Sequence, residues 1–171
     1  MQGDQQLFEA LAKIDPRKPY GTTLFNAIAR LTVSPAVETV CLRLNQTTKE
    51  VEVYLVQRAR DDTAYPGEWH CPGSVLRPGE DFKDAFGRLA KCEFGGIILS
   101  MQFVANANVP TESRGHFLSL VYLCVLDDTD GLRGKWFPIN QLPDKTVEHH
   151  RHRIIPVAVG AFVAENTKIC D

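Results

Sequence analysis

A chain of 171 residues suits one domain with a substantial core and is too short for two ordinary ones. Hydrophobic residues make up 44% and charged residues 23%, a balance that excludes a disordered or fibrous chain. The formal net charge of -2 gives no electrostatic reason to expect nucleic acid or an anionic membrane as partner, but it leaves room for a local cationic pocket that takes a small anion.

In chain order, residues 5–14 place Leu7, Leu11 and Ile14 on one helical face, and residues 22–31 do the same with Leu24, Phe25, Ile28 and Leu31. Pro16 and Pro19 separate the two, so residues 1–33 read as a helical extension that packs on the domain or on a second subunit, and nothing in it suggests chemistry. Residues 36–44 and 50–58 alternate Val and Leu with polar residues around the turn Asn45 to Lys49, which predicts a hairpin. After a loop through Asp61, Asp62, Pro66 and Gly67, a helix is expected over residues 80–94, with Gly95 and Gly96 stopping it. Residues 97–104 and 117–126 read as strands joined by a polar loop that carries Pro110, Glu112, Arg114 and His116. Trp136 to Pro138 leads to a last helix, with Thr146 as its expected amino-terminal cap and Pro156 as a kink or restart.

The mixture predicts an α/β (α+β) fold, a mixed sheet covered by helices over residues 34–171. No apolar run reaches the roughly 18 to 20 residues that span a bilayer, and the amino terminus lacks a charged start followed by an apolar stretch, so a cytoplasmic location is expected. The five cysteines, Cys41, Cys71, Cys92, Cys124 and Cys170, are odd in number and scattered, which favours reduced thiols over a disulfide framework or a metal knuckle.

The stretch from Tyr65 to Glu80, continuing to Arg88, Glu93 and Gly95, resembles the Nudix box and its approach. Glu80, Arg88, Glu93 and Gly95 fall at the spacings of that family's pattern, and Trp69, Pro72, Gly73 and Gly79 match its surroundings. Val53 to Arg58 looks like the family's strand before the loop, and Trp136 to Pro143 like its late segment, so the likeness spans about residues 36–164. The resemblance implies a Nudix-like α/β/α sandwich and a magnesium-dependent hydrolase of diphosphate bonds, with carboxylates at one end of the box helix holding the metal and activating water. Ser74, Leu89, Cys92 and Gly96 depart from the pattern, and Leu89 and Cys92 replace two of three helix carboxylates. On a regular helix, residues 89 and 93 are four apart and lie one above the other, so a carboxylate clasp would here be half hydrocarbon. Phe82, Phe86 and Leu89 form an apolar stripe ending in Glu93, and Cys92 offers a poor donor for a hard cation.

The site residues follow from that resemblance. Glu93, Glu80 and Arg88 stand at the catalytic positions, with Glu93, Glu80 and Glu112 as candidate metal ligands. The alternatives are a Glu93 hydrogen-bonded to the preceding loop, a Glu80 and Arg88 that brace loop and helix, and an exposed loop Glu112. Arg58 and Arg77 flank the expected cleft and suit phosphates, and Trp69 and Phe117 could stack on a base, although aromatic core residues are more frequent. Asp61, Asp62, Asp81 and Asp84 read as solvated surface, with a compensating metal ligand as the alternative for each. The basic run His149 to Arg153 reads as a solvated helix face, with zinc binding or a pH-sensitive anion contact as alternatives.

Three functions stay open: a protein that binds a nucleoside diphosphate or similar small diphosphate but hydrolyses it slowly or not at all, a working magnesium-dependent pyrophosphohydrolase, and a protein-interaction domain that keeps only the scaffold. A homodimer is plausible, and neither nucleic acid nor membrane is expected as partner.

Overall fold

The computed structural model describes residues 2–127 and 131–167, so Cys170 lies outside the described residues. Seven strands form one sheet, built on the path β3 (Trp69–His70), β2 (Val51–Gln57), β1 (Val33–Leu44), β6 (Gly115–Leu126) and β5 (Ile98–Glu112). β4 (Gly73–Val75) pairs with β1 and β7 (Lys135–Pro138) with β2. β1 and β6 run parallel while the other pairs are antiparallel, so the sheet is mixed.

Period-two alternation sorts the strands into two faces. Val37 and Cys41 of β1, Tyr54 and Val56 of β2, and Tyr122, Cys124 and Leu126 of β6 pack against Ala85, Phe86 and Leu89 of helix α3 (Phe82–Leu89). On the opposite face, Val40, Leu42, Val53, Leu55, Val121 and Leu123 pack against Ile154 and against Ile155 and Ala158 at the start of helix α4 (Ile155–Thr167). The result is a sheet between two helical layers. Among the described residues, no helix is long and apolar enough to cross a membrane.

Several local expectations need correction. The polar segment after Val104 continues β5 to Glu112 and meets β6 through the two-residue connection Ser113-Arg114. Its residues are small or polar because β5 is an edge strand, where alternation is weak, Pro110 is tolerated and bulges shift the register. Thr146 is no cap: it is buried in a bridge to Trp69, and its hydroxyl donates to the Pro143 carbonyl at 2.7 Å. Helix α1 (Gln2–Leu11) leaves Leu7, Phe8 and Leu11 exposed, whereas α2 (Thr22–Ala29) buries Ala29 against the start of β6. That approach requires glycine at position 115, since a Cβ there would lie 2.1 Å from the Ala29 carbonyl oxygen.

The expected helix over residues 80–94 is two pieces. Asp81 caps α3 by accepting from the Asp84 backbone at 2.8 Å, with Asp84 reciprocating. After Leu89 the chain makes a wider π-helical turn, Ala90–Phe94, and stops at Gly95 in the left-handed conformation with φ of 71°. A second π-helical turn, His150–Ile154, leads into α4, where Pro156 follows and could not have continued a regular hydrogen-bond ladder.

Candidate functional site

The α3 end of the fold is held by one ion pair. Glu80 accepts from Arg88 Nε at 2.8 Å and from a terminal nitrogen at 2.7 Å, and its second oxygen also takes the Arg77 backbone N–H at 3.0 Å. Arg88 spends its remaining donors on the Ser74 hydroxyl and the Val75 carbonyl. The Arg88 hydrogen bonds hold the Glu80 carboxyl below its usual range. Both side chains are thus consumed in bracing loop to helix, and neither lines the main cavity.

The π-helical turn then separates Leu89 from Glu93. A turn closed by hydrogen bonds five residues apart rotates later residues out of step, so residues four apart no longer stack. Leu89 is fully buried in the core beneath α3, while Glu93 is half-buried and reaches a cavity of about 570 Å³. Cys92 is exposed. In the apolar stripe Phe86 is buried like Leu89, but Phe82 stays largely exposed beside Tyr122.

Arg58, Arg77, Glu112 and Phe117 line the same cavity as Glu93. Trp69 does not: it packs edge-on against Phe137, ring centres 4.9 Å apart, in the core beneath α4. Glu112 ends β5 and accepts the Arg114 backbone N–H at 2.6 Å.

The cavity also has walls that sequence reading passed over. Lys18, Tyr20, Phe25 and Asn26 bring the helical extension to the cavity. Asp62, read from sequence as solvated surface, joins Arg58 (2.7 Å) to Arg114 (2.9 Å) and also takes the backbone N–H groups of Ala64 and Tyr65. Burial alone would raise its pKa, but the Arg58 and backbone bonds hold it well below the usual carboxylate range. Asp62 thus ties two guanidinium groups together beside the cavity, where Glu112 adds a second acid. Two buried polar atoms of cavity-lining residues, Arg114 Nε and Asn26 Oδ1, lack a hydrogen-bond partner among the described residues.

The deepest wall holds Glu38, His70, Ser119 and His150, all buried. Burial pushes the Glu38 carboxyl up to about 8 and the His70 imidazole down to about 3, and it drives His150 well below its ordinary value. In each case burial disfavours the charged form. Of the basic run, then, His149 and His150 turn inward while His152 and Arg153 stay exposed, so it is not one solvated face.

The NUDIX domain model matches residues 35–157, more than half of the chain. The chain belongs to the NUDIX family. No curated protein matches this NUDIX chain by sequence. Among solved structures it is similar to the NUDIX domain of Shewanella oneidensis NrtR complexed with ADP ribose, at 16% identity and a TM-score of 0.60, over 90% of this chain and 97% of that one. It is also similar to a NUDIX hydrolase from Nitrosomonas europaea, at 19% identity and 0.56, over 78% and 90% of the two chains. The C-terminal domain of mouse MUTYH, in complex with human PCNA, matches at 16% and 0.61, over 77% and 90%. At such identities the likeness establishes the fold alone, and the neighbours span a bound small molecule, a hydrolase and a bound protein.

The magnesium implied by the family has few donors to meet. Among the described residues, no three His, Cys, Asp or Glu side chains converge as ligands. Glu80 is taken by Arg88, and Leu89 faces the core. Glu93 and Glu112 share the cavity, but the set does not fit an ion held by the protein's own carboxylates.

Proposed function

We propose that this NUDIX protein binds a nucleoside diphosphate or a related diphosphate compound, with ADP-ribose as the first ligand to try, and hydrolyses it slowly or not at all. The observation that carries this reading is the division made by the π-helical turn. The end of the box helix delivers Glu93 to the cavity and sends Leu89 into the core, while Arg58, Arg77 and Arg114 line the same space. Guanidinium forks suit phosphate oxygens, and Tyr20, Phe25, Tyr65 and Phe117 offer aromatic surface for a base. The NrtR domain, complexed with ADP ribose, supports the ligand class.

A residual hydrolase is the second reading, favoured by Glu93 and Glu112 lining one cavity. In that case the metal would be carried mainly by the diphosphate itself. Thermal melting with ADP-ribose, paired with a chromatographic assay for AMP and ribose 5-phosphate on the same samples, separates the two. A ligand that binds only the folded state at a hundred times its Kd adds about 2.7 kcal/mol, which shifts the midpoint of a chain this size by several degrees. The expected outcome is that shift with no AMP or ribose 5-phosphate formed. Turnover that Glu93→Gln abolishes contradicts it.

A further inference from the structure

Glu38 is an acid in the middle of the apolar strand β1, and its place in the sheet explains where it points. It shares a strand face with Val40 and Leu42, the face covered by α4, and its β4 partner is Gly73. Glycine leaves room for the carboxyl, since a Cβ there would stand 2.1 Å from Glu38 Oε2 and push it aside. Ser119, on the neighbouring strand β6, donates to Oε1 at a long 3.4 Å. His150, at the start of the second π-helical turn, sets its Nε2 3.9 Å from Oε2.

The tautomer of His150 is fixed by the chain. The Cys71 backbone N–H donates to its Nδ1 at 3.1 Å, so Nδ1 is unprotonated and the neutral ring carries its hydrogen on Nε2. That hydrogen faces Glu38 across a gap beyond the roughly 3.2 Å reach of an N–H···O bond. Among the described residues neither Nε2 of His150 nor Oε2 of Glu38 has another hydrogen-bond partner. Both residues are nine-tenths or more buried and both line the cavity. Both atoms open onto the cavity, so the His150 Nε2–H donor and a Glu38 carboxyl oxygen that can accept, held side by side and slightly apart, have the form of a site for a complementary edge.

We propose that Glu38 and His150 form a recognition pair on the cavity floor for a planar ligand edge that carries a hydrogen-bond donor beside an acceptor, as on the base of a nucleotide. The amidine edge of adenine fits: its ring nitrogen accepts from His150 Nε2 and its exocyclic amine donates to Glu38. The lactam edge of hypoxanthine fits equally, with carbonyl and ring N–H in the same roles. The groups facing Glu38 are compatible with a neutral edge. Arg58 is engaged by Asp62, Glu112 repels a second negative charge, and His70 and His149 stand beside His150. Phosphates would then lie toward Arg58, Arg77 and Arg114. The pair deepens the diphosphate-binding reading by naming what the non-phosphate part of the ligand carries.

The test is calorimetric titration of the full chain with ADP-ribose, adenosine, inosine, N6,N6-dimethyladenosine and ribose 5-phosphate, with Glu38→Gln, Glu38→Leu and His150→Leu alongside. Losing the one hydrogen bond to Glu38 and leaving its partner unpaired amounts to about a tenfold weakening. Dimethylation should produce that loss in the wild type, and Glu38→Leu should produce it for adenosine while ribose 5-phosphate is unaffected. Glu38→Gln keeps a donor and an acceptor and should bind adenosine as the wild type does. If the Leu variants do not fold, the dimethylated ligand and Glu38→Gln decide. Equal affinity for adenosine and its dimethyl form, unchanged adenosine binding by a folded Glu38→Leu, loss in Glu38→Gln, or no binding of adenosine and inosine overturns the pair. ADP-ribose binding no tighter than adenosine would instead sink the diphosphate reading and leave the pair standing.

Discussion

Glu80 is a half-buried acid beside the cavity and Glu38 a buried one in its wall, and they end in opposite conditions. Glu80 is met on both oxygens by Arg88 and a backbone N–H, so its charge is favoured and its role is to hold loop and helix together. Glu38 has one long bond from Ser119 and a histidine out of reach, so burial raises its pKa with little to offset it. A polar group whose partners are complete belongs to the scaffold. One whose partners are incomplete, in a wall that a ligand can reach, belongs to the site.

The contrast can be attacked by substitution, beginning where the effect is largest. Leu89→Glu places an acid where the family pattern expects one, but in this fold it buries an unpaired charge, and denaturant unfolding should show a loss of at least about 4 kcal/mol. No loss would mean that the helix can turn position 89 toward the cavity. Arg88→Leu strands Glu80 and removes the bonds to Ser74 and Val75, and it should cost about 3 kcal/mol, with Glu80→Gln recovering part of that in the double variant.

The pH profile comes next. Glu38 has a folded pKa near 8 against 4.5 for the free group, so its contribution to stability is fully present below pH 4.5 and is lost as pH rises toward 8. His70 acts in the other direction: its pKa drops from 6.5 to about 3, so its contribution is present above pH 6.5 and lost as pH falls toward 3. Glu38→Gln should therefore flatten the alkaline limb, on the order of 3 kcal/mol, and leave the acid limb intact. Urea midpoints from pH 4 to 9 check this, and an unchanged alkaline limb would show that Glu38 is ionised in the fold. The smallest effect is expected from Cys92→Glu, at an exposed position, within about 0.5 kcal/mol.

How much of this was legible in the sequence depended on whether burial left a periodic trace. β1, β2, β6 and α3 were legible because their apolar residues alternate or recur by helical turn. The second half of β5 was not, since an edge strand of small and polar residues carries no such pattern. The box spacings brought attention to Glu80, Arg88 and Glu93, but a π-helical turn has no sequence signature, so the separation of Leu89 from Glu93 could not be foreseen. Glu38 did leave a signal. A lone acid within Ala36 to Leu42 is a buried polar residue that needs explaining. His150 left none, because a basic run looks solvated until the fold turns part of it inward.

The account stands most directly on whether the protein needs a metal to hold its ligand. Titrating ADP-ribose into the full chain by calorimetry, once in magnesium and once with the cation chelated, should give the same affinity, with intact ADP-ribose recovered from both samples. Affinity that collapses on chelation, together with AMP and ribose 5-phosphate in the magnesium sample, would contradict it.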